Sequence, residues 1–180
     1  MRKRADVSRE VAAVAEKLLQ RIAARKHTVD LHDIEMSVRE ATSEMSKLLL
    51  EGAIDEVGDG YSGSKLRCEC GGKLKFVGKR PFSVTTLSGE VEVERTYYHC
   101  SRCGASKVPV DEQLKLSGSR FSEGVIENLS YCCAELPYEA ASDHMGRLTG
   151  VHVSPKEAHI LSESVGREMG EELDERAKAA

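Results

Sequence analysis

Tryptophan is missing from this 180-residue sequence, and aromatic residues make up only 4% of it. Proteins that hold single-stranded nucleic acid stack bases on aromatic side chains, so a platform of that kind is not expected. Also missing is any apolar run long enough to span a bilayer. The start, Met1-Arg2-Lys3-Arg4, is basic, but an amphipathic segment follows where a secretion signal needs an apolar core. These absences predict a cytoplasmic protein without a membrane partner. Nor is there an excess of positive charge. Lys and Arg number 26 against 30 Asp and Glu, a net −4, which argues against a protein basic all over. Six cysteines in a reducing compartment point to metal ligands or buried thiols rather than disulfides.

What is present is unevenly spread. Lys65, Arg67, Lys73, Lys75, Lys79 and Arg80 share their stretch with Glu69 as the only acid, while the end of the chain is acidic. Local patches decide whether a polyanion docks, so the near-neutral sum leaves nucleic acid open as a partner.

Periodicity divides the chain, and the fold class it predicts is α+β, mostly helical. Residues 1–56 read as a helical pair. Ser8 is a candidate cap for the first helix, with Val11, Val14, Leu18 and Ile22 on one stripe. In the second, Leu31, Ile34, Val38, Ala41, Met45 and Leu48 form a heptad seam. That seam either packs on the first helix or makes a homo-oligomer through residues 31–49. A breaker-rich linker over 57–64 follows. Residues 65–116 read as short strands, with a hairpin turning at Leu87-Ser88-Gly89. Residues 120–172 read as three short helices, and 173–180 as an acidic tail or the start of a linker.

Two cysteine pairs, Cys68-Glu69-Cys70 and Cys100-Ser101-Arg102-Cys103, each precede glycine and flank about thirty residues of expected strand. Zinc takes four thiolates in a tetrahedron, and a pair on a tight turn supplies two of them from one local unit. The hairpin would bring the turns together as a zinc ribbon. With Cys68, Cys70, Cys100 and Cys103 as ligands the Zn²⁺ is structural, since no position is left for a catalytic water. His99 is the alternative ligand should Cys68 be badly placed. Cys132 and Cys133 have helical, apolar neighbours and read as buried thiols.

The last two helices meet at Thr149-Gly150-Val151-His152-Val153, and Ser154, Pro155 and Glu157 give the final helix a strong start signal. Two helices joined by a short glycine turn describe a helix-turn-helix, although a plain three-helix bundle has the same pattern. In the DNA reading, Lys156, His159 and Ser162 of the last helix, with Lys75, Lys79 and Arg80 of the ribbon, contact double-stranded DNA. No small-molecule substrate is implied.

The stretch from Cys68 to Val153 resembles the N-terminal region of ISKra-type insertion-sequence transposases. The resemblance is carried by the cysteine-glycine knuckle, Gly78-Lys79-Arg80 and Thr86-Leu87-Ser88-Gly89-Glu90-Val91. Arg95 through Gly104, Pro109-Val110-Asp111-Glu112, Leu136 through Ala141 and Leu148 through Ser154 complete it. It implies a zinc ribbon and helix-turn-helix that bind transposon ends, followed by an RNase H-like domain with three carboxylates and two metal ions. The first knuckle departs from the commoner spacing by having Arg67 where the leading cysteine would stand. The chain also stops at Ala180, about where the catalytic domain would begin. The expectation is a DNA-binding transposase module that neither cuts nor joins DNA. An antitoxin-like transcriptional regulator and a protein-interaction module are the alternatives.

Overall fold

A computed structural model describes residues 4–116 and 119–179; Met1–Lys3 of the basic start and Ala180 of the tail lie outside the described residues. The chain is mixed α+β and mostly helical. Its order is α1 (Arg4–Ala24), α2 (Leu31–Val57), β1 (Lys65–Arg67), β2 (Lys73–Thr86), β3 (Gly89–His99), β4 (Ser106–Lys107), α3 (Pro109–Gln113), α4 (Glu123–Glu135), α5 (Tyr138–Thr149) and α6 (Pro155–Ala179). The strands form one sheet in the order β1-β2-β3-β4. Two compact units result. The first takes Met1–Val84 and Glu90–Arg120, the second Thr85–Gly89 and Phe121–Ala180.

In the first unit α1 and α2 form an antiparallel pair. Asp30 caps α2 by accepting the Asp33 N–H at 2.8 Å. Val7 and Ala41 are buried between the helices, and Gly52 is there because a Cβ would lie 2.8 Å from Val7 Cγ2. The α2 seam is therefore mostly occupied within the chain: Ile34, Met45 and Leu48 are half-buried, whereas Leu31 and Val38 stay exposed. Ser8 is not the cap of α1. It lies inside the helix, which is already formed at Arg4, where the guanidinium holds Glu56 of α2 at 2.9 Å and Val7 packs on Gly52.

Sheet alternation follows the sequence pattern. Val84, Val91 and Val93 are buried with Val110 of α3, and Leu50 and Ile54 of α2 pack against them. Each fully buried valine contributes about 1.5–3 kcal/mol. Pro81 lies inside β2, beyond the part paired with β1, where a missing N–H interrupts no β1 ladder bond. Arg95 lies over the Phe82 ring at 3.8 Å and pairs with Asp111 at 2.9 Å, which fixes Asp111 as a structural partner of the sheet.

The second unit is built on Phe121, Val125, Leu129, Met145, Val151, Val153 and Ala158. Helix α4 starts at Ser122, whose hydroxyl accepts the Val125 N–H. The hairpin tip belongs here as well: Ser122 N–H donates to the Thr85 carbonyl at 2.9 Å, and a Cβ on Gly124 would meet Leu87 at 3.2 Å. Helix α6 does not stop near residue 172. It runs on to Ala179, with Met169 and Leu173 exposed, so residues expected as tail or linker are helical to that point. Among the described residues no helix is long and apolar enough to cross a membrane.

Candidate functional site

The two cysteine turns are shaped by their own backbones. In the first, Gly71 N–H donates to the Cys68 carbonyl at 3.0 Å and Cys68 N–H to the Gly72 carbonyl at 3.1 Å. In the second, Gly104 N–H donates to Cys100 at 2.9 Å and Cys100 N–H to Ala105 at 2.8 Å. Gly71 and Gly104 sit at φ +78° and +77°, the left-handed region where a side chain would be strained. Each turn thus reverses within four or five residues and aims two sulfurs the same way.

Strands β2 and β3 then bring the turns together. All four sulfurs lie within 4.8 Å of one another, with Cys68–Cys103 at 3.6 Å and Cys70–Cys100 at 3.7 Å. A tetrahedron with metal–sulfur bonds of about 2.3 Å has sulfur–sulfur edges of about 3.8 Å. A disulfide needs about 2.05 Å, so neither close pair is one. The donor set and spacing fit a tetrahedral metal ion. Cys68 and Cys100 are buried beside Leu74 and Tyr98, while Cys70 and Cys103 are nearer the surface.

The four sulfurs differ in their electrostatic surroundings. The Cys103 and Arg102 N–H groups are directed at the Cys100 sulfur and bring its thiol down to about 6. At Cys70 the Gly72 N–H favours the thiolate, but the adjoining Cys103 and Cys68 sulfurs outweigh it and push the thiol up to about 12. Four sulfurs this close cannot all carry charge without a cation among them. Gly72 contributes in a way that spacing did not disclose. A Cβ there would sit 3.2 Å from Cys70 Sγ and 3.3 Å from Cys100 Sγ, so both sulfurs close over a bare α-carbon.

Despite the short first spacing, Cys68 is inside the cluster. His99 is outside it, its Nδ1 3.2 Å from the Ser106 hydroxyl. Cys132 and Cys133 are half-buried against the core of the second unit. Burial raises the Cys133 thiol, against a hydrogen bond with Ser162.

The six residues singled out for DNA have different surroundings. Lys75 is exposed on β2, opposite Lys65 of β1. Lys79 is held by Asp59 and by Glu94, the latter at 3.5 Å, which neutralises its charge locally. The guanidinium of Arg80 lies 5.1 Å from the centre of the Tyr97 ring. Asp59 is 20 positions from Lys79 in sequence, so this ion pair was invisible to local pattern. Lys156 is exposed in the first turn of α6. His159, also exposed, lies tilted at 51° against the Tyr138 ring with centres 4.9 Å apart, and places Nε2 3.0 Å from Glu163. Ser162 is half-buried, donating to the His159 carbonyl at 3.2 Å and facing Cys133.

The corner between α5 and α6 is tightly specified. Gly150 is left-handed at φ +77° and returns its N–H to the Gly146 carbonyl at 3.0 Å. Val151 and Val153 are buried, so the turn is clamped by the core. At the start of α6, Ser154 N–H donates to Glu157 Oε2 at 3.1 Å and Glu157 N–H donates to Ser154 Oγ at 3.3 Å. This reciprocal pair is a capping box, and it fixes the first turn of α6.

Compared with known proteins, residues 24–178 match UPF0236, an uncharacterised protein family. No curated protein matches the chain, and no solved structure does.

Proposed function

We propose that this chain, which belongs to the UPF0236 family, is a duplex-DNA-binding module with a zinc ribbon at its four cysteines and a helix-turn-helix in α5–α6. The resemblance to the N-terminal region of ISKra-type transposases makes the ends of an insertion sequence the natural target. The observation that carries the reading is the α5–α6 corner: a left-handed glycine, two buried valines and a boxed helix start that leaves Lys156 and His159 exposed. A recognition helix meets the major groove through its first turns, so in this reading Lys156 reaches phosphate or base edges directly and His159 does so by exchanging its Glu163 contact. Ser162 is assigned a packing role, because it faces Cys133.

Cys68, Cys70, Cys100 and Cys103 would hold the zinc, which supplies rigidity and no catalysis because protein thiolates fill its tetrahedron. Tyr98 supports the same corner of the sheet from inside, donating to the Gly63 carbonyl and accepting from Ser62 N–H, both at 2.9 Å. The module itself is assigned no cutting or joining of DNA.

Fluorescence anisotropy with terminal-repeat duplex tests the reading. It expects binding that weakens steeply with salt, and weaker binding for Lys156→Ala. A zinc-loaded, folded chain that ignores duplex DNA at low salt would refute it.

A further inference from the structure

The register of β1 on β2 pairs Lys65 with Lys75, Leu66 with Leu74 and Arg67 with Lys73. Side chains alternate across a strand, so the two leucines share one face and the four cations share the other. The leucine face is accounted for: Leu74 is buried, and Leu66 packs with Cys68, Tyr98 and Cys100. The opposite face carries Lys65, Arg67, Lys73 and Lys75, all exposed.

Like charges directly opposite each other destabilise a sheet, and this ladder carries two such pairs. Among the described residues none of the four cations is in an ion pair, whereas Lys79 on the same strand is held by Asp59 and Glu94. Cross-strand neighbours stand about 5 Å apart and alternate residues about 7 Å apart. Those distances fall within a screening length of about 10 Å at 0.1 M salt, so the group acts as one concentrated positive site. Beside it Lys65, Leu66, Arg67, Gly71, Gly72 and Lys73 line a shallow recess of about 330 Å³.

We infer that this face of β1–β2 is a phosphate-backbone contact surface for duplex DNA, with Lys65, Arg67, Lys73 and Lys75 as its cations. The inference rests on the duplex-DNA reading and adds a surface that the helical corner does not supply. It moves the contact of the sheet away from Lys79 and Arg80 and assigns it backbone affinity rather than sequence readout, because a flat ladder of cations offers no groove-entering element.

The test is a salt titration of duplex binding by the full zinc-loaded chain, comparing wild type with the double variant Lys65→Gln/Lys75→Gln. Both residues are exposed and neither is a metal ligand, and zinc content and circular dichroism monitor the fold. Each lost phosphate contact lowers the slope of log K against log salt by about 0.9, so the slope should fall by about 1.8. That corresponds to about 60-fold weaker binding at 0.1 M salt. The control Lys17→Gln/Lys47→Gln makes the same change in net charge on α1 and α2 and should leave the slope unchanged. A variant with unaltered slope and affinity, or a control with an equal loss, overturns the surface while leaving duplex binding intact. A wild-type chain that binds single-stranded RNA but no duplex overturns the DNA reading and this surface together.

Discussion

Replacing Tyr98 by phenylalanine removes one oxygen from the interior of the first unit. The side chain is fully buried, beside Leu74, Cys68 and Cys100. Its hydroxyl joins two backbone groups of the 57–64 connection, donating to Gly63 O and accepting from Ser62 N–H, each at 2.9 Å. Phenylalanine keeps the packing and leaves both backbone groups without that partner. At about 0.5–1.5 kcal/mol net for each hydrogen bond, Tyr98→Phe should cost about 1–3 kcal/mol. Urea unfolding at fixed free zinc should show a lower midpoint with unchanged slope, since the area exposed on unfolding is the same. Hydrogen exchange at the Ser62 amide should accelerate, while metal content stays at the wild-type value. A variant with the wild-type midpoint and a still-protected Ser62 amide would refute the claim that Tyr98 ties the connection to the sheet.

Gly72→Ala should weaken metal binding by on the order of 10-fold, the range seen when groups around ligands are disturbed, because its Cβ presses on two sulfurs at 3.2 and 3.3 Å. Gly166→Ala, whose Cβ would meet nothing within 4 Å, should leave metal affinity alone; chelator competition separates the two. Leu129→Ala should cost about 2–5 kcal/mol by opening a cavity at a fully buried position. Met169→Ala, 58% exposed on α6, should shift stability by less than about 0.5 kcal/mol. Equal effects of these two in thermal unfolding would contradict the placement of the core.

Local signals carried far in this chain. The spaced cysteine turns foretold the cluster, because knuckle geometry depends on a few adjacent residues and their glycines. Ser154 and Glu157 foretold the start of α6, and Leu87-Ser88-Gly89 foretold the turn between β2 and β3. Where partners are distant in sequence, legibility ended. Arg4 of α1 pairs with Glu56 of α2, 52 positions away, a contact that no local pattern shows. Lys79 is neutralised by Asp59, 20 positions away, a partner that no local pattern shows. The strand Lys65–Arg67 is three residues long, too short for periodicity to reveal, and only its pairing with Lys73–Lys75 gathers the four cations on one face. The extension of α6 to Ala179 was also hidden, because acidic, charge-rich sequence suits a solvated helix as well as a tail.

Whether four thiolates enclose a single ion is decided by the metal stoichiometry of the purified protein. One zinc per chain is expected by elemental analysis, with Cys100→Ser protein losing it. Protein that is folded yet carries no stoichiometric metal, or that keeps its zinc after Cys68, Cys70, Cys100 and Cys103 are all replaced by serine, would contradict it.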